Sequence, residues 1–324
     1  MPDKKSSSNV LERKRISINK DSTLHFISNN YIFVVLVVLL IAGSLVSNKF
    51  MTQRNMVNVL LEYSMYAILA IGELFVIITG GIDLSIGSVV AVAVCFVAGF
   101  IQGGMGINAI ILVLVLTTIS GLVSGLLVTY VKIAPFIATL AMMTILRGIA
   151  YIYQVGSDRR IDGSYLVNFV NSSVGPIPVP AIIMVAVLVI AWFILSKTTF
   201  GRSLYAIGGN SETARMAGIN VKLNTTVAYG ISGLLSGLGG VILAGRIAMG
   251  TALVGTGYEL DAIAAVVIGG AVLSGGKGTA LKTLVGAFIL GLLYDSMNLM
   301  GIADYPQMIV KGIIILLAVF LGRE

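Results

Sequence analysis

The chain has 324 residues, of which 57% are hydrophobic and 11% charged, against about 25% charged in an ordinary soluble domain. So few charges cannot cover a globular surface in water, which makes lipid the natural solvent and argues against a nucleic-acid partner despite the net charge of +7. One cysteine (Cys95) and one histidine (His25) rule out an intrachain disulfide and argue against metal sites, His-centred triads and a bound cofactor.

Residues 1–30 form a polar, basic tail with Lys4, Lys5, Arg13, Lys14, Arg15 and Lys20. A helix needs about 20 mostly apolar residues to cross the hydrocarbon core. A first span is expected at 31–47. It lacks a small-residue cleavage signal, and its long basic lead is wrong for a cleaved signal peptide, so it reads as a retained helix. Spans follow at 56–79, 84–101, 107–131 and 134–153. A polar loop covers 154–180, with Asp158, Arg159, Arg160, Asp162 and three prolines. A sixth span is expected at 181–196, a charged segment at 197–223, and four more spans at 224–246, 259–274, 279–297 and 306–321. The expectation is an all-α, polytopic membrane protein of ten spans, with a tail (1–30) and one transmembrane domain (31–324).

Lys and Arg concentrate on the cytoplasmic side of membrane proteins. With both termini inside, the inner segments hold the six tail residues plus Lys132, Lys197, Arg202, Arg215, Lys222, Lys277, Lys282 and Arg323. The outer segments hold only Lys49, Arg54, Arg159 and Arg160. The opposite orientation would reverse the rule. A weak internal repeat runs in the same direction. Asp83 precedes Ile86-Gly-Ser-Val-Val90 as Asp261 precedes Ile263-Ala-Ala-Val-Val267, and Arg147-Gly-Ile echoes Lys311-Gly-Ile. Spans 2–5 and 7–10 would then form an inverted repeat, as in many transporters.

The candidate ionisable residues inside spans are Glu62, Glu73, Arg147, Asp295 and Lys311. Charge in hydrocarbon is costly and faces a bundle interior or a cavity. Glu73 could pair with Arg147, and Asp295 with Lys311, either to fix helix register or to line the pathway. Asp83, Glu259 and Asp261 stand at helix starts, where a carboxylate meets free N–H groups and the positive end of the dipole. Gly121-x-x-x-Gly125 and Gly233-x-x-x-Gly237 suit close helix crossings. Gly275-Gly-Lys-Gly-Thr279 fails as a phosphate loop, since Ala271 and Gly278 occupy positions that need Gly and Ser/Thr. It reads as a tight turn.

The 197–223 segment carries a short helix, with Ser211 as its cap and Gly218 at its end. Glu212, Arg215 and an exposed Met216 would lie on it, which suits docking to a soluble partner. The run Gly208-Gly-Asn-Ser-Glu-Thr-Ala-Arg-Met-Ala-Gly218 resembles the cytoplasmic coupling segment of the permeases of sugar-importing ABC transporters. Gly80-Gly-Ile-Asp-Leu-Ser-Ile-Gly87 and Gly255-Thr-Gly-Tyr-Glu-Leu-Asp261, with Gly275-Gly-Lys-Gly278, are similar to two further hallmarks of that family. Phe136-Ile-Ala-Thr-Leu140 and Tyr305-Pro-Gln-Met-Ile-Val-Lys311 resemble its ribose-permease-like branch, with Pro306 a departure.

The resemblance implies the membrane subunit of an importer of a monosaccharide. It has no nucleotide site of its own and works with a second permease subunit, a cytoplasmic ATPase and an extracytoplasmic sugar-binding protein. Glu212, Ala214, Arg215, Met216 and Gly218 would then face the ATPase.

Overall fold

The computed structural model describes residues 31–154 and 157–321. The basic tail and Arg323 lie outside this range. The described residues are mostly helical. The first group of helices is α1 (Tyr31–Val46), α2 (Gln53–Ile78), α3 (Ile86–Gln102), α4 (Asn108–Thr129) and α5 (Pro135–Gln154). Next come β1 (Arg159–Arg160), α6 (Tyr165–Val170), β2 (Ser173–Val174) and β3 (Ile177–Pro178). Then follow α7 (Val179–Lys197), α8 (Thr199–Gly209), α9 (Ser211–Met216) and α10 (Val221–Ile247). The chain closes with β4 (Met249–Gly250), α11 (Tyr258–Ile268), α12 (Ala280–Leu299) and α13 (Asp304–Leu321).

Among the described residues six helices, α2, α4, α5, α7, α10 and α12, are long and apolar enough to cross a membrane. They divide by burial. Helices α2 and α10 are buried over most of their surface and form the centre of the bundle. Helices α4, α5 and α7 bury one side and expose the other. On α4 the exposed apolar residues are Ile111, Val115, Ile119, Val123 and Leu126, a stripe of i, i+4 and i, i+3 spacing that suits lipid. The most extensive helix contact is α4 on α10. It runs through the two glycine pairs, as their spacing predicts. Gly121 and Gly233 meet backbone to backbone, Gly125 lies on Thr226 and Gly237 on Thr117, and a Cβ fits at none of the four.

The 259–274 span is not a continuous helix. Helix occupies only Tyr258–Ile268, about 16 Å at 1.5 Å per residue, too short to cross. Gly270, at φ +82°, turns the chain out of it. The start is also displaced inward. Helix α10 ends at left-handed Ala248, β4 pairs with β1, and the chain then returns into the bundle until Gly255 packs on Gly87. A similar break follows α2. Residues 79–85 turn at Gly80 (φ +81°) and fold back until the Asp83 N–H reaches Glu73. Glu73 lies five residues, or about 7 Å, before the end of α2, so α3 begins inside the bundle as well. The starts of α3 and α11 therefore meet in the interior.

The two ends of the bundle differ. One gathers the end of α2, helix α8 and the loop 269–279. There Gly276 N–H donates to the Ile78 carbonyl (2.9 Å), and Tyr205 donates its hydroxyl proton to the Gly278 carbonyl (2.8 Å). Gly275 and Gly276 have φ of +94° and +76°, the tight turn expected of this sequence. The other end gathers the β1–β4 pair, α6, and the ends of α3 and α10. Gln102 donates to the Arg160 carbonyl (2.8 Å) and Asn171 to the Gly245 carbonyl (3.0 Å).

Candidate functional site

Glu73 and Asp83 are fully buried and hold the first break in place. One Glu73 oxygen accepts the Asp83 N–H at 3.1 Å. Asp83 accepts the Ser85 N–H (2.9 Å) and hydroxyl (2.6 Å) on one oxygen, and the Ser232 hydroxyl of α10 (2.8 Å) on the other. Asp83 thus does stand at the start of α3, binding the N–H of the residue that precedes the helix. Ser232 was not visible as its partner, because a serine in a Gly-rich apolar helix carries no pattern of its own.

The expected ion pairs are different in the structure. Glu73 does not meet Arg147. A terminal nitrogen of Arg147 instead donates to the carbonyls of Ala252 (2.8 Å) and Val254 (2.6 Å), in the turns that lead into α11. Lys311 pairs with Asp261 at 2.7 Å and donates to the Gly257 carbonyl at 3.1 Å, while Asp295 accepts from Asn55 at 2.7 Å. The physical reason is the inward start of α11, which brings its first turn and the residues before it within reach of both cations. Asp261 and Glu259 both lie in that first turn, as expected. Glu62 pairs with Arg246 at 3.1 Å, joining the start of α2 to the end of α10.

The 197–223 segment is two helices. Thr198 caps α8 by accepting the Gly201 N–H (3.1 Å). The cap of α9 is Asn210, which accepts the Thr213 N–H (2.8 Å), so Ser211 is the first helical residue and not the cap. An Asn side chain in extended backbone reaches the third N–H as well as Ser does. Gly218, at φ +84°, ends α9 as its composition predicts. Glu212 and Arg215 form an exposed ion pair one turn apart, at 2.5 Å. The bond holds the Glu212 carboxyl below its ordinary value and the Arg215 guanidinium above its own. Met216 is 79% exposed beside them, while Ala214 is buried. Helix α8 fastens this surface to the bundle. Gly208 lies directly on the Ile78 carbonyl and the Gly276 nitrogen, with no room for a Cβ.

The family described as "branched-chain amino acid transport system / permease component" matches residues 55–319. The chain belongs to this family. It is 44% identical over 298 residues to the ribose import permease protein RbsC of Bacillus subtilis, covering 90% of this chain and 92% of that one. It is 41% identical over 301 residues to RbsC of Escherichia coli, at 90% and 92% coverage. It is 35% identical over 328 residues to the galactose/methyl galactoside import permease protein MglC of Escherichia coli, at 94% and 97% coverage. No solved structure matches the chain. With its apolar helices, the chain is a multi-pass permease of the bacterial cytoplasmic membrane and a transporter subunit.

Proposed function

We propose that this chain is the membrane permease of an ATP-driven, binding-protein-dependent importer of a monosaccharide, with ribose as the first candidate. The observation that carries this is the near full-length similarity to ribose import permeases. Two copies of the chain pair to line the pathway, a cytoplasmic ATPase supplies the energy, and an extracytoplasmic protein delivers the sugar.

The positive-inside count supports ten passes with both termini in the cytoplasm, the eighth made by α11 together with the residues 269–274 that follow it, and the tenth by α13. In this orientation the end with α8, α9 and loop 269–279 is cytoplasmic, and the end with α6 and the β1–β4 pair is external. Aromatic anchors agree with a boundary at the first end: Lys197 lies over Trp192 at 5.7 Å, and Lys222 over Tyr130 at 4.9 Å. The inverted repeat gains support from the two breaks. Helices α2 and α10 each lead through a turning, non-helical return into a helix that starts inside, which is how transporters build midplane sites.

Glu212, Arg215 and Met216 present the ATPase-docking face of α9, with Ala214 buried behind it and Gly218 closing its end. Motion imposed there passes through Gly208 to the end of α2 and the loop 269–279, the two segments that lead from one broken helix and away from the other. Glu73, Asp83, Glu62, Arg246, Asp261 and Lys311 act as structural fasteners of these segments.

The test is uptake of labelled ribose by bacteria that lack their own ribose permease and express this chain with its partner subunits. Uptake competed by ribose, and less by allose or galactose, is the expected result. Uptake competed only by another sugar would replace ribose, and competition by leucine alone would overturn the sugar assignment.

A further inference from the structure

We infer that a groove where α3 and α11 begin is a monosaccharide subsite of the translocation pathway. This rests on the importer reading above and adds which residues touch the sugar. The groove has a volume of about 330 Å³, near the lower end of the roughly 300–1,000 Å³ typical of small-molecule sites. Its walls are Ser88, Thr144, Arg147, Tyr151, Thr256 and Glu259, with Met143 the one purely apolar side chain.

Three observations converge there. First, both broken helices start at the groove. Ser88 is in the first turn of α3, and Thr256 and Glu259 flank the start of α11. The positive ends of both helix dipoles therefore face the groove and favour ligand oxygens there. Second, Ser88 is fully buried, yet its hydroxyl has no hydrogen-bond partner among the described residues. A buried hydroxyl is costly to leave unpaired, and here it borders the groove, where a ligand hydroxyl can meet it. Third, the bonds from one terminal nitrogen of Arg147 to Ala252 and Val254 fix the guanidinium in place. The Nε and the other terminal nitrogen keep their N–H groups free among the described residues.

The lining chemistry fits the ligand class that the importer reading names. A fixed guanidinium offers two parallel donors to neighbouring hydroxyls, and the Glu259 carboxylate accepts from them. Ser88, Thr144 and Thr256 can each donate or accept, as a sugar hydroxyl does. Tyr151 is 51% exposed and presents a ring face to the C–H side of a sugar. One cation and one anion together suit a ligand without net charge, a polyol or a zwitterion alike, and the importer reading above selects the sugar. Several modest contacts, rather than one strong one, also suit a pathway the solute must leave.

The test uses proteoliposomes holding the chain with its ATPase and binding protein, supplied with ATP and labelled ribose. Uptake per ATP hydrolysed is compared for wild type, Ser88→Ala, Thr256→Val and Glu259→Gln. Ser88→Ala removes only a hydroxyl without a protein partner, so the fold has no bond to lose. The expected result is a loss of about three- to tenfold in uptake per ATP for each variant, with ATPase stimulation by loaded binding protein within about twofold of wild type. Glu259→Gln should also change the ratio of ribose to galactose uptake. Variants that transport like wild type would overturn the subsite and leave the importer reading standing. Equal loss of ATPase and uptake would mark a general defect and overturn the subsite too. A wild-type complex without ATP-dependent sugar uptake would overturn the importer reading itself.

Discussion

Gly233 has no space for a methyl group, since a Cβ there would meet the Thr117 carbonyl and the backbone of Gly121. Gly233→Ala should therefore cost about 1–3 kcal/mol through overpacking and lower the unfolding temperature of the detergent-solubilised protein. Gly148→Ala is the control. Nothing lies within 4 Å of its added Cβ, so it should be neutral or slightly stabilising. Equal melting of the two variants would contradict the α4–α10 crossing. This contact was legible because residues four apart share one helix face, and small residues on that face have one structural use in lipid. The partner of Glu73 was not. Sequence suggests a search for opposite charge, and Arg147 was the obvious candidate. The carboxylate meets a backbone N–H instead, and a broken helix supplies such donors without any sign in its composition.

At the scale of elements, Lys311 ties α13 to the inward start of α11. The Lys311 and Asp261 side chains are only 20% and 14% exposed. Lys311→Ala should leave a buried carboxylate unpaired and destabilise by roughly 3–5 kcal/mol. The double variant Asp261→Asn/Lys311→Met should recover most of that loss, as unfolding in detergent would show. Failure of the second change to rescue the first would mean that Asp261 is not the partner that matters. Most of the helices were readable from hydropathy to within a few residues, because twenty apolar residues have few other fates. The exception is 259–274. Its residues are apolar throughout, and periodicity cannot separate a full span from a half span followed by an apolar loop. Gly269-Gly270 was the signal, and in a chain with 38 glycines it does not stand out. The cap of α9 moved by one residue for a smaller reason: Asn210 and Ser211 are adjacent and both are good caps.

For the molecule as a whole, the account divides the work. This chain forms the pathway, and partners supply energy and delivery. Helix α9 is the expected contact, and its ion pair allows a clean perturbation. The double reversal Glu212→Arg/Arg215→Glu keeps an i, i+3 pair on the same turn while inverting the charge pattern shown to a partner. It should leave the unfolding temperature unchanged and reduce ATPase binding and uptake about tenfold or more. Intact binding and uptake would remove α9 from the coupling surface. The most direct measurement is sugar uptake into proteoliposomes that hold the chain alone or with its ATPase and binding protein. The account predicts uptake only with both partners and ATP, and none by the chain alone under an imposed proton or sodium gradient. Gradient-driven uptake by the chain alone would contradict it and make the protein an ion-coupled carrier.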